Sequence, residues 1–328
     1  MLNRDDLIKN SVLKESKAVG CMCGLAIGDS LGDAARKQQN RENYGITTDF
    51  GTGASWSTDD TEFAMLTARI LIDCQGELTS EAVVEAWLRD VAVQDEFKRG
   101  GASEVTAARN LLRGLRPPES GKFNTFHMSD GTAMRISPVG VICAGDPDRA
   151  ARLAEIDASV SHSEDGIWGA QAVAAAVAVA MVDGSMEEIL NAAIRVMPRD
   201  SWLYHNMMAA LELVEKSNGN LLDCWMPLHD TLLASAWATT AEAIPAAFAC
   251  LKLCHRDFRS GLVLASNFAR DADTIGAVAG AILGAKYGVE NIPKHWVEKT
   301  RYPSGTCLQF TKGLDIVDVG KQLSALIR

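Results

Sequence analysis

The five residues Ser57-Thr58-Asp59-Asp60-Thr61 set two adjacent carboxylates among three hydroxyls, and Asp271-Ala272-Asp273-Thr274 repeats that chemistry far along the chain. Each cluster runs straight into an apolar stretch of helical spacing, Glu62 to Leu71 and Ile275 to Gly284, so each sits on the first turn of a helix. Taken singly, such a cluster is an N-cap, because unpaired amides and the positive end of the helix dipole favour Ser, Thr and Asp there. Taken together they offer more. If the two helix starts meet, four carboxylates and two threonine hydroxyls converge, and that many anions repel one another unless cations lie between them. Ligation by oxygen alone selects hard ions such as Mg²⁺, Mn²⁺ or Ca²⁺ over zinc.

Bringing the two starts together needs elements that pack over long range, and glycine marks them. Gly20, Gly24, Gly28 and Gly32 recur at every fourth position of a helical stretch over 12–35, and Gly276, Gly280, Gly284 and Gly288 do the same near the other end. Each helical glycine costs about 1 kcal/mol relative to alanine. A stripe of them predicts a second backbone packed very close along it, which places both helices at the centre of the fold. Further helical patterns cover 79–93, 102–114, 147–159, 164–182, 186–196, 200–216, 228–237, 241–255 and 258–268, with surface loops at 114–124 and 217–227. Alternating β-branched runs bounded by turns are almost absent. The expectation is an all-α fold, a single compact orthogonal multi-helix bundle over residues 1–328 with a di-metal site at its centre. Two irregular segments flank the chemistry: Tyr44 to Trp56, with Gly45, Gly51 and Gly53, and His127 to Arg135, ahead of a helix from Ile136. Glycine followed by small residues at a helix start can present backbone N–H groups to an anion, although alone the 127–135 segment reads as a plain loop.

Composition narrows the functions. Of 328 residues, 47% are hydrophobic and 23% charged, as in an ordinary globular protein. The net charge of −10 argues against a nucleic-acid or anionic-membrane surface, and it leaves any phosphate-bearing ligand dependent on local donors. The first residues lack the apolar core of a signal peptide, and the uncharged run Gly166 to Val182 is shorter than the ~20 residues of a membrane span. Eight cysteines without a scaffold pattern predict buried free thiols in a reducing cytoplasm. Cys250, Cys254 and His255 form a weak zinc pattern.

The motifs resemble those of the ADP-ribosylglycohydrolase family. The resemblance rests on Gly24-Leu25-Ala26-Ile27-Gly28-Asp29-Ser30-Leu31-Gly32, on Ser57 to Thr61, and on Asp271-Ala272-Asp273-Thr274-Ile275-Gly276. Gly131-Thr132-Ala133-Met134-Arg135 and Ser161-His162 match two further family segments, so the likeness spans residues 18–287. It implies an all-helical domain holding two divalent cations, Mg²⁺ or Mn²⁺, with Thr58, Asp59 and Asp60 ligating from one side and Asp271, Asp273 and Thr274 from the other. It also implies cleavage of an N- or O-glycosidic bond to the ribose of ADP-ribose, often on a modified arginine or serine of a protein. Asp59 and Asp60 would then be catalytic, with Asp60 orienting the attacking water. Gly131, Thr132, Ala133 and Met134 would lie against the ribose and phosphates, and His162 would line the cleft.

Three positions depart from the family pattern. Arg36 stands where many members carry a glutamate, Asp130 where the loop often has asparagine, and Ala269-Arg270 where two glycines are common. Arg36 and Arg270 can compensate charge for an anionic ligand, or they can mark a different pocket. Trp168, Trp202 and Tyr204 are able to stack a base but suit core or interface packing better. The first expectation is therefore a metal-dependent hydrolase acting on an ADP-ribosylated protein. The alternatives are a hydrolase of a small free ribosyl compound, a non-catalytic ADP-ribose binder or structural relative, and, faintest, a di-metal phosphohydrolase.

Overall fold

The structure is a computed structural model that describes residues 2–51, 56–94 and 100–328; Gly53, in the expected lead-in segment, lies outside the described residues. The first third of the chain forms α1 (Arg4–Lys9), α2 (Ser11–Arg36), α3 (Gln38–Tyr44), α4 (Asp59–Asp73), α5 (Ser80–Asp90) and α6 (Ala102–Leu112). The middle forms α7 (Glu119–Lys122), α8 (Ser137–Ile142), α9 (Pro147–Ala158), α10 (Asp165–Ala180), α11 (Met186–Arg195) and α12 (Trp202–Lys216). The last third forms α13 (Leu221–Leu232), α14 (Thr240–Leu253), α15 (Phe258–Ser266), α16 (Ala272–Tyr287), α17 (Lys294–Thr300) and α18 (Ile316–Ala325). Among the described residues no strand forms; one isolated β-bridge joins Ser129 to Thr239. The fold is all-α, as expected, and no described helix is long and apolar enough to cross a membrane.

Helices α2 and α16 run antiparallel at the centre, and their glycine stripes face each other. A Cβ on Gly24 would stand 2.1 Å from the carbonyl oxygen of Gly280, and one on Gly28 would stand 2.0 Å from that of Gly276. Further along, a Cβ on Gly32 would meet the carbonyl oxygen of Ala272 at 2.1 Å. Only hydrogen fits at these crossings, so the helix-propensity cost of each glycine is offset by close backbone packing over the whole seam. Lys17 locks the far end. Buried on α2, it donates through Nζ to the carbonyls of Ala285 and Lys286, the last turn of α16, and to Asp183. Around this pair, helices α8, α10, α14 and α15 pack small side chains; Ala170 to Ala180 of α10 is almost wholly buried.

One helix starts seven residues earlier than its sequence pattern predicts. The expected loop 217–227 and helix 228–237 are replaced by α13 at Leu221–Leu232, followed by an irregular 233–239. Asn220 caps α13 by accepting from Leu222 N, and Cys224, Leu228 and Leu232 bury one face despite Pro227 inside the helix. Tertiary burial of that face outweighs the ~3 kcal/mol proline penalty. Expected loop 114–124 contains the single helical turn α7. None of the eight cysteines is bridged in a disulfide among the described residues, and six are buried. Cys250, Cys254 and His255 do not converge as a metal-binding trio; His255 Nδ1 donates instead to the Leu251 carbonyl at 2.9 Å.

Candidate active site

The first turns of α4 and α16 do not cap themselves. Thr58 is the N-cap of α4 and Asp271 that of α16, and neither side chain makes a capping hydrogen bond to its own helix. The exposed amides of α4 are met from another helix. Asp29 of α2, wholly buried, accepts from Thr58 N at 2.9 Å, Thr58 Oγ1 at 2.8 Å, Thr61 N at 3.2 Å and Thr61 Oγ1 at 2.5 Å. Burial pushes the Asp29 pKa up to about 6, against these four bonds, which favour its charged form. Sequence reasoning assigned Asp29 no role. The available signal was a carboxylate inside a glycine stripe, where burial is certain and a partner is therefore required.

The two clusters meet on Asp29. One oxygen each of Asp29, Asp60 and Asp273 lies within 4.8 Å of the others. Asp60 Oδ2 stands 2.9 Å from Thr58 Oγ1, whose single proton it shares with Asp29, whereas its Oδ1 is buried with no partner among the described residues. The pKa of Asp60 is raised well above the usual carboxylate range, first by burial and then by the charges of Asp29, Asp59 and Asp271. Asp273 is raised likewise by burial and by Asp271 and Asp60, with Arg36 opposing. Asp59 faces the cavity, half-buried against Gly100, and is raised by burial and by Glu104, Asp273, Asp271 and Asp29. Asp130 is fully enclosed in the same floor. Burial and then the neighbouring charge of Asp271 raise its pKa well above the usual carboxylate range, and its Oδ2 is buried with no partner among the described residues.

This donor set fits a hard divalent cation. It is all oxygen, it is crowded with anions, and it holds an enclosed carboxylate oxygen without a donor. One cation of the chain already reaches in. Arg36 Nη1 lies 3.0 Å from Asp271 Oδ1 and 2.5 Å from Asp273 Oδ1, while Nη2 lies 3.2 Å from Asp33 Oδ1. Burial opposes the Arg36 charge, but Asp273, Asp271, Asp33 and Asp60 more than compensate, and its pKa is raised.

Above the floor opens a cavity of about 890 Å³. Asp59, Asp60, Asp130, Asp271, Asp273 and Thr274 form its base, and Leu112, Phe126, Met134 and Trp237 give it apolar walls. Gly100 to Glu104, the start of α6, line one side, and no described side chain caps that helix. Of the loop residues singled out from sequence, Gly131 and Met134 reach the cavity. Thr132 and Ala133 are fully buried behind it, Thr132 donating to the Gly166 carbonyl at 2.5 Å. A Cβ on Gly131 would strike Glu104 Oε1 at 2.4 Å, so glycine there lets the loop lie against α6.

His162 also stands one layer back. Its Nε2 bonds Ser129 Oγ at 2.8 Å and its Nδ1 bonds Ser161 Oγ at 2.7 Å, while Ser129 lines the cavity. Burial, followed by the charges of Arg135 and His127, holds its pKa well below the ordinary value, so it is neutral. Arg135 is buried as well and ties the segment down, donating to Asp157 Oδ1 at 2.9 Å, the Gly131 carbonyl at 2.9 Å and Ser161 Oγ at 3.1 Å. Trp237, outside every sequence motif, lines the cavity and donates from Nε1 to Asp271 Oδ1 at 3.1 Å. Trp168, Trp202 and Tyr204 do not line it. Ala269 and Arg270 adopt φ of +69° and +53°, conformations that glycine takes without strain. Arg270 is engaged by Glu242, at 2.6 Å and 2.9 Å, and stacks over Trp237.

The family described as ADP-ribosylglycohydrolase matches residues 10–325. The chain belongs to the ADP-ribosylglycohydrolase family. It is therefore a glycosidic hydrolase. A protein of Archaeoglobus fulgidus is 31% identical over 87% of this chain and 91% of its own length. The ADP-ribosylarginine hydrolase Tri1 of Pseudomonas putida is 27% identical over 87% of this chain and 74% of its own. The human ADP-ribosylhydrolase ARH3 is 26% identical, over 86% and 88% respectively. A solved structure titled ADP-ribosylglycohydrolase-related protein complex superposes with a TM-score of 0.68, covering 96% of this chain and 99% of that one at 22% identity, which establishes the shared fold.

Proposed function

We propose that this chain acts as one unit to hydrolyse the glycosidic bond between the ribose of ADP-ribose and a modified protein side chain, arginine or serine. The observation that carries this reading is the convergence of Asp60 and Asp273 on one enclosed oxygen cluster, beneath a cavity large enough for a nucleotide sugar. The pair of divalent cations that the resemblance implies, Mg²⁺ or Mn²⁺, would be held by Thr58, Asp59, Asp60, Asp271, Asp273 and Thr274. When bound, such ions supply positive charge that orients the vicinal hydroxyls of the ribose and acidifies water.

The reaction breaks the bond from the anomeric carbon to the side-chain nitrogen or oxygen and forms one to a water oxygen. Asp60 orients that water and takes its proton as charge develops on the ring. The same proton returns to the departing nitrogen or oxygen, which balances the step, while Asp59 stays ionised at the edge of the floor as a ligand. The start of α6, with its unmet dipole, offers amides to a pyrophosphate that the acidic floor would repel. Phe126 and Trp237 offer faces to a base. Buried free thiols suit a reducing cytoplasm.

The test is direct. Purified protein with Mg²⁺ is incubated with peptides ADP-ribosylated on arginine or on serine, and free ADP-ribose is read by mass spectrometry. Release that depends on the cation is expected, and its absence at every Mg²⁺ and Mn²⁺ concentration would sink the proposal.

A further inference from the structure

The floor of the cavity divides into two halves with different charge balance. On one side, Asp60 Oδ1 is buried with no donor among the described residues, and one oxygen each of Asp29, Asp60 and Asp273 lies within 4.8 Å of the others. On the other, Asp271 is crowded with donors. Arg36 Nη1 reaches Asp271 Oδ1 at 3.0 Å, and Trp237 Nε1 reaches the same oxygen at 3.1 Å. The same Arg36 nitrogen lies 2.5 Å from Asp273 Oδ1. A guanidinium is a permanent cation with several donors in one plane, so it can bridge two carboxylates as an ion would.

Arg36 is also held from outside the cluster. Asp33, one turn earlier on α2, takes Nη2 at 3.2 Å, and Lys37 donates to the other Asp33 oxygen at 2.9 Å. A divalent ion beside Asp271 would have to displace a side chain anchored by three carboxylates, or stand against a charge of its own sign. We propose that this chain binds one divalent cation, on the Asp60 side of the floor, and that the Arg36 guanidinium fills the second cation position between Asp271 and Asp273. The inference rests on the reading of the floor as a metal site and departs from the pair of ions that the family resemblance implies. Asp60, Thr58 and one Asp273 oxygen then serve the ion, and Asp271 serves Arg36 and Trp237.

The experiment counts ions. Full-length protein stripped with chelator is titrated with Mn²⁺, and stoichiometry is read by calorimetry together with the electron paramagnetic resonance signal of free Mn²⁺. One ion per chain is expected in the wild type and two in Arg36→Glu, which exchanges the cation for a further ligand. In Arg36→Gln a second ion is expected at roughly ten-fold or weaker affinity than the first. Two ions of comparable affinity in the wild type overturn the inference and leave the metal site standing. No bound ion in the wild type overturns the metal reading and the inference with it. A count that stays at one in both variants overturns the role given to Arg36. Near-UV circular dichroism verifies folding, and if Arg36→Glu fails that check, the wild-type count and Arg36→Gln decide.

Discussion

Gly28 and Gly276 touch backbone to backbone. Neither position has room for a methyl group: a Cβ on Gly28 would stand 2.0 Å from the Gly276 carbonyl oxygen, and one on Gly276 would stand 2.5 Å from that of Gly28. This crossing lies one residue from Asp29 and three from Asp273, so the register of the two helices is also the register of the acidic floor. Any shift along the seam would carry Asp29 away from Asp273.

Gly28→Ala should therefore lose both stability and site. Backbone on backbone cannot yield by a rotamer change, and overpacking of this kind costs about 1–3 kcal/mol or more. Urea unfolding should show the loss, whereas Gly51→Ala, at a position with none of the described residues within 4 Å of the added methyl, should stay within about 0.5 kcal/mol of wild type. Equal effects at both positions would disprove the close seam.

Asp60→Asn should separate metal binding from folding. The metal-free variant should melt no lower than wild type, because it relieves repulsion among Asp29, Asp59, Asp60 and Asp271. Millimolar Mg²⁺ should raise the wild-type melting temperature, by about 2.7 kcal/mol of stabilisation at a hundred times the dissociation constant. The variant should show almost no such rise, and its kcat/KM should fall by about 10² to 10⁴. An undiminished Mg²⁺ shift would remove Asp60 from the ligand set.

Asp29→Asn tests a positioning residue. The amide retains one acceptor oxygen where four donors from Thr58 and Thr61 now converge. Unsatisfied buried donors should cost about 1–3 kcal/mol. Because the group orients Thr58, Mg²⁺ affinity measured by calorimetry should also drop by about 10- to 100-fold. Lost stability with unchanged affinity would make Asp29 purely structural.

His162 should shape the acid limb of stability. Its folded pKa is lowered by burial and by the Arg135 and His127 charges, so below about pH 6.5 the unfolded chain binds a proton that the native one refuses. Stability then falls as pH falls, by up to about 1.4 kcal/mol per pH unit from this group, and the contribution vanishes above neutrality. His162→Gln should flatten the slope between pH 6.5 and 5 in chemical denaturation. An unchanged slope would show that His162 does take up a proton in the fold.

Much of this protein is readable from its amino acids alone, and the reason is locality. Helical periodicity, hydroxyls and acids at a helix start, and glycine at every fourth position each act within a turn or two. They were enough for the all-α class, for the first turns of α4 and α16, and for a central pair of close-packed helices. What the clusters do was decided elsewhere. Thr58 and Asp271 look like caps and make no cap bond, because Asp29 on a third helix supplies the acceptor for α4. Arg36 and Arg270 look like equivalent spare cations, yet one enters the acidic floor and the other pairs with Glu242. His162 and Thr132 stand behind the cavity that Gly131 opens onto, and α13 forms through Pro227 because its apolar face is covered. Each of these outcomes depends on which surfaces the packed helices bring within a few ångströms, and no spacing along the chain encodes that distance.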